Sequence, residues 1–224
     1  MSPARSLSGD DVRVSSRQVV DVSVRTLRTH GLPYAAARAA ADVVEELEAV
    51  DSSGLHALAA ALQRPVVEPT VTETGLNAHG AGGLLVVEAA VDLLCLSGAV
   101  DIVDVGEPSA LLSALRRVVA DRGGSWSAQW SAQWSAADGS APGGCAVRAD
   151  GSACLWGPAP APQQMAPTRT VRIRAEEPVQ HAVGVADAAN ALVVARESGL
   201  VVDSACWEPL SAAAQAFLVV VPAG

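Results

Sequence analysis

The stretch 77–124, NAHGAGGLLVVEAAVDLLCLSGAVDIVDVGEPSALLSALRRVVADRGG, decides the fold. Its glycine-rich opening at 77–83 leads into an apolar run at 84–96, which predicts a helix stopped by Gly98. The run from Val100 to Val105 predicts a strand. Pro108 suits the first turn of a further helix, running to Asp121 and ending at Gly123. Upstream, 66–74 alternates and reads as a strand. The order strand, helix, strand, helix calls for a sheet with crossover helices.

Toward the N-terminus, 1–12 reads as a flexible leader. Ser16 can then cap a helix running to His30, with Val20, Val24 and Leu27 on one face. Gly31 suits the left-handed position that ends it. A second helix is expected over 33–50, with Val43, Leu47 and Val50 inward and Glu45, Glu46 and Glu48 on its wet face. After the turn Asp51-Ser52-Ser53-Gly54, a third covers 55–63. The expected class is α/β (mixed α+β). An N-terminal leader and helical cap (1–65) packs on a mixed β-sheet with crossover helices (66–224).

Toward the C-terminus, the repeat SAQWSAQW places Trp126, Trp130 and Trp134 four apart. On a helix they would drift about 40° per step. On a strand all three share one face with alanines, while Gln129 and Gln133 take the other, and the strand is the better reading. Asp150-Gly151 predicts a two-residue hairpin turn that sets Cys154 opposite Val147. A proline-rich loop at 157–168, a strand at 170–175 and a helix at 186–198 follow. Asp203 and Glu208 flank Cys206-Trp207 in what reads as a turn, and 217–221 reads as a buried strand.

Composition bounds the function. The chain has 224 residues, half of them hydrophobic, enough for a real core. Its net charge of -9 and lack of lysine argue against nucleic acid as a partner. The bias toward Ala, Val, Arg and Gly suggests a high-GC bacterial source. The start has no apolar core of signal-peptide length, and no run approaches the roughly 18 apolar residues that span a bilayer. A cytoplasmic location without membrane contact is expected. Cys95, Cys145, Cys154 and Cys206 form no CxxC pair and read as reduced thiols.

Several residues could carry chemistry. The turn at 77–83 could present amides to a phosphate at a helix N-terminus. However, Leu85 stands where a dinucleotide fingerprint has its third glycine, so a plain tight turn competes. His56, His79 and His181 have no metal-ligand spacing, so no metal is expected. Each is a surface or satisfied polar residue, or a general acid or base. Glu107 either complements a helix N-terminus or acts in catalysis. The tryptophan face fits core packing, an apolar pocket or a dimer interface.

The first 65 residues resemble the N-terminal region of the type-2 malate/L-lactate dehydrogenase family. Gly31-Leu32-Pro33 matches that family's GLP turn, Ala41-Asp42-Val43-Val44 its second helix, and 51–58 (DSSGLHAL) its D-SHG-ARL element. Residues 80–98, 100–106 and 214–222 resemble its glycine turn and helix, its next strand and its final core strand. Full-length relatives are longer, so the chain looks like a shortened, divergent relative. The family's SHG histidine falls on Ser53, the arginine of the same element on Ala57, and the NHFG histidine on Glu107. Hydride transfer to a keto group needs a proton donor and cations for the carboxylate, and these positions have lost them. His56, three residues after Ser53, could project nearby.

The resemblance and its departures imply a non-redox enzyme on a dehydrogenase-derived scaffold, working without a cofactor. It would bind a hydrophobic small molecule and promote cyclisation or isomerisation in bacterial specialised metabolism. Ser53, His56, His79 and Glu107 are the catalytic candidates. Trp126, Trp130, Trp134, Gln129 and Gln133 are the binding candidates. One alternative is a divergent NAD(P)H-dependent reductase of a keto or imino acid, with His56 or His79 as donor. The other is a non-catalytic binding or scaffold protein; the family's dimerisation implies a homodimer.

Overall fold

The computed structural model describes residues 11–73, 75–130, 143–150, 152–156, 169–175 and 183–217. Three helices open the fold as the sequence implies. In α1 (Ser16–Thr29) the cap is Ser15 rather than Ser16. Its hydroxyl accepts from the Gln18 amide, and the Gln18 side chain reaches back to the Ser15 amide. Gly31 then turns the chain with φ of 103°. α2 (Tyr34–Asp51) and α3 (Gly54–Leu62) follow.

The expected leader is not wholly without structure. Residues 11–14 form β1 (Asp11–Val14), which pairs antiparallel with β10 (Leu200–Asp203) and buries Val14. The expected strand at 66–74 shrinks to β2 (Thr70–Val71), which pairs with β3 (Gly75–Asn77). α4 (Gly83–Ser97) and β4 (Ala99–Val105) are as expected, but the strand that feeds the crossover is β3, which lies just past the expected 66–74 and pairs parallel with β4. A 3-10 turn at Pro108–Ala110 leads into α5 (Leu111–Arg122).

The tryptophan segment enters as β5 (Trp126–Trp130), between β8 (Arg169–Ala175) and β6 (Gly143–Val147). β7 (Ser152–Trp156) completes the hairpin with β6, one residue out of the expected register. Cys154 faces Ala146, and Ala153 faces Val147. The reason is a three-residue loop: the Arg148 amide donates to Ser152 O at 2.9 Å, and Asp150 Oδ1 accepts from the Ser152 amide at 2.9 Å. One extra loop residue moves every facing pair by one. β9 (Val183–Asp187) and α6 (Ala188–Ser198) follow.

The main sheet has the order β2-β3-β4-β8-β5-β6-β7-β9 and is antiparallel except at β3–β4. The cross-strand row Val100, Ile173, Ala128, Cys145 is wholly buried. α4 and α5 pack on this sheet, and α2 and α3 pack on α4. This is the mixed α/β class the sequence implies.

Two expectations fail at the far end. Residues 203–208 are not a turn but open α7 (Ser204–Ala216), whose cap Asp203 accepts from the Ala205 amide. Ala214 therefore lies in a helix rather than a final core strand, and 218–221 fall outside the described residues. α7 packs on α1 and α3, and α6 packs on α2, so the helical layer draws on both ends of the chain.

The acidic face of α2 is also not wet. Glu45, Glu46 and Glu48 are all buried. Glu45 pairs with Arg196 of α6 at 3.0 Å and accepts from Ser16. Glu46 pairs with Arg116 of α5 at 2.6 Å and accepts from Ser113 at 2.9 Å. Glu48 accepts from the Leu55 amide at 2.9 Å. Helices arriving from later in the chain cover this face and supply the partners a buried carboxylate needs.

Candidate functional site

β3 and β4 run parallel, so both chains leave the sheet at the same end. In open α/β sheets, ligands bind in the crevice beyond the carboxyl ends of such strands. Three non-glycine residues there hold left-handed backbone: His79 (φ 50°), Asp104 (φ 58°) and Glu107 (φ 48°). Each such conformation costs an L-residue about 1–2 kcal/mol. Hydrogen bonds over-determine it. The His79 amide donates to Asn77 Oδ1 at 2.9 Å, His79 Nε2 meets Thr70 Oγ1 at 2.8 Å, and the Gly80 amide donates to Asp104 O at 2.8 Å. Strain of this kind, concentrated at one end of a sheet, is a mark of a functional site.

The glycines of the turn serve close packing. A Cβ on Gly83 would lie 2.3 Å from Glu107 O, and the Gly83 amide is spent on Gly106 O at 2.5 Å. The Ala81 amide is likewise spent, on Ala78 O at 2.9 Å. A Cβ on Gly106 would sit 2.2 Å from Cζ of Arg64, whose guanidinium is buried against that backbone and donates to Gly80 O at 3.3 Å. The residue after Gly106 is Glu107, itself buried. Arg64 gave no signal in the sequence, because a lone arginine after a short helix has no pattern to mark it.

α3 separates the catalytic candidates into two groups. Its C-terminal end packs Ala61 on Gly82 and leads to Arg64, beside His79 and Glu107. Its N-terminal end carries Ser53 and His56, roughly 12 Å away along a helix rising 1.5 Å per residue. The Ser53 hydroxyl is spent locally, donating to Asp51 Oδ1 at 2.5 Å. Burial pushes the Asp51 carboxyl above its ordinary pKa, against the hydrogen bonds from Ser53.

His56 meets the start of α7. One ring nitrogen of His56, a carboxylate oxygen of Asp203 and Sγ of Cys206 lie within 4.8 Å of one another. Burial holds the Cys206 thiol above its ordinary pKa, reinforced by the charges of Asp203 and Glu48. A thiol held protonated is a poor nucleophile. Spacing could not reveal this group, because its members come from opposite ends of the chain.

The aromatic candidates divide. Trp126 belongs to the hydrophobic core, 5% exposed, and donates its indole N–H to Gly123 O at 3.0 Å. Gln129 is exposed on β5. Trp130 ends β5, its backbone opposite Gly143 and Val171. Gln133, Trp134 and His181 lie outside the described residues.

A cavity of about 330 Å³ lies elsewhere, between α2 and α4. Its walls include Leu32, Ala36, Ala39, Val66, Leu84 and Leu85, with Glu68 and Glu88 among the few polar residues. The segment 64–70 joins cavity and rim: Val66 to Pro69 wall the cavity, while Arg64 and Thr70 touch Gly80 and His79. Among the described residues, no helix is long and apolar enough to cross a membrane.

No protein-family model and no curated protein matches the sequence. Solved structures do match its fold. Malate dehydrogenase from Pyrococcus horikoshii OT3 superposes with a TM-score of 0.67 at 9% identity, over 97% of this chain and 99% of its own. A dehydrogenase from Sinorhizobium meliloti gives 0.66 at 13% identity, over 91% and 99%. Malate dehydrogenase from Entamoeba histolytica gives 0.58 at 9% identity, over 95% and 100%. With identities this low, the likeness concerns architecture, and on it the chain has a malate/lactate dehydrogenase-type fold.

Proposed function

We propose that this chain binds a hydrophobic small molecule in the α2–α4 cavity and promotes its cyclisation or isomerisation without a nucleotide cofactor. The observation that carries this reading is the apolar cavity of about 330 Å³, joined through 64–70 to the strained rim of His79 and Glu107. Its size falls at the lower end of small-molecule pockets. A mostly apolar wall binds by burial and holds a flexible ligand in few conformations, which is how confinement lowers a unimolecular barrier. In this reading His79, hydrogen-bonded to Thr70 on the adjoining rim, passes the proton. Ser53, Ala57 and Glu107 stand where the resembled family has proton donors and cations, which supports a reaction other than hydride transfer.

The test uses the dye 1-anilinonaphthalene-8-sulfonate and the variant Ala39→Phe, which fills the cavity from a half-buried position. Wild type is expected to bind the dye, and the variant to bind about tenfold or more weakly at an unchanged melting temperature. In extracts of a strain lacking the gene, the protein should convert an accumulated compound to an isomer of equal mass with no nucleotide added. Conversion that requires NADH or NADPH would establish the reductase reading instead. Dye binding untouched by Ala39→Phe would remove the cavity from the proposal.

A further inference from the structure

We propose that His56, Asp203 and Cys206 form a zinc-binding site between α3 and α7. Their donor atoms already lie within 4.8 Å of one another. Zinc bonds of about 2.0–2.3 Å in a tetrahedron set ligand atoms roughly 3.5 Å apart, so small side-chain rotations would close the set. Asp203 and Cys206 are three apart across the cap and first turn of α7, which puts both on one side of the helix. His56 comes from α3, which packs directly on α7.

The donor chemistry selects the metal. A thiolate with an imidazole is a soft to borderline set, which suits zinc and disfavours magnesium and calcium. The carboxylate is oriented in advance, because Asp203 Oδ1 accepts from the Ala205 amide at 2.9 Å and the other oxygen can turn to a metal. The positive end of α7 opposes a cation. Asp203 caps that end, and Glu48 of α2 adds a second negative charge felt at Cys206. Cys206 and His56 are half-buried, so a metal has a route in from solution. Three protein ligands leave the fourth position to water, as in zinc sites that do chemistry rather than only brace a fold.

The experiment titrates cobalt(II) into the chelator-treated full chain. A near-ultraviolet thiolate-to-cobalt band and visible bands of tetrahedral cobalt are expected at one equivalent, both abolished by added zinc. Zinc alone should raise the melting temperature. Cys206→Ala should lose the thiolate band. His56→Gln, and Asp203→Asn which keeps the helix cap, should each weaken binding about tenfold or more with unchanged circular dichroism. If Cys206→Ala does not fold, those two variants decide. A wild type without the thiolate band, a band at full strength in Cys206→Ala, or wild-type affinity in both His56→Gln and Asp203→Asn overturns the site.

Discussion

Single residues carry more than their types announce. Gly83 is a case where backbone touches backbone: an added methyl would meet Glu107 O at 2.3 Å, and neither chain can yield without moving the rim. Gly83→Ala is therefore expected to cost roughly 1–3 kcal/mol, as overpacked sites do. A urea titration measures it, and a cost near zero would show that the turn is softer than its contacts imply. The glycines at 80–83 were legible in the sequence as a turn, and so was the tight-turn alternative. Their contact with Gly106 and Glu107 was not, because it depends on where the next strand returns. His79 and Glu107 were legible as candidates by type and position. Arg64 was not, since only burial distinguishes it from any other arginine.

Helices and strands were read well wherever a local stop signal marks them. Gly31, Gly98, Gly123 and Gly199 each close a helix as expected, all with positive φ. The exposed face assigned to α2 was wrong, because a glutamate stripe looks wet until α5 and α6 cover it. This yields a test in pH. Burial raises the Glu45 carboxyl, but the hydrogen bonds and charge of Arg196, with Ser16 and Arg38, outweigh it and hold its pKa below the ordinary value. A carboxylate with a depressed folded pKa adds stability above its unfolded pKa of 4.5 and loses it as pH falls through the folded value. Arg196→Gln should thus lower the urea midpoint at pH 7 and close most of the gap to wild type well below pH 4.5. An equal gap at both pH values would assign the loss to packing of the arginine stem instead.

At the scale of the molecule, the two ends of the chain are tied together. β1 pairs with β10, α1 packs on α7, and His56 meets Cys206. Removing residues 1–14 would strip Val14 from the core and β1 from β10. The loss should be at least about 1.5 kcal/mol, the value of one buried valine side chain, read as a lower urea midpoint. A midpoint equal to wild type would make β1 an ornament of the fold. The sequence by itself determined the three opening helices, the α4–β4 succession and the mixed α/β class. All of these rest on hydrophobic period and on stop residues acting within a few positions. The tertiary structure alone decided that β8 inserts between β4 and β5, that Trp126 is core, that α2's carboxylates are buried pairs, and that His56 has Asp203 and Cys206 for neighbours. Those facts depend on segments far apart in the chain meeting in space, and no local period encodes such a meeting.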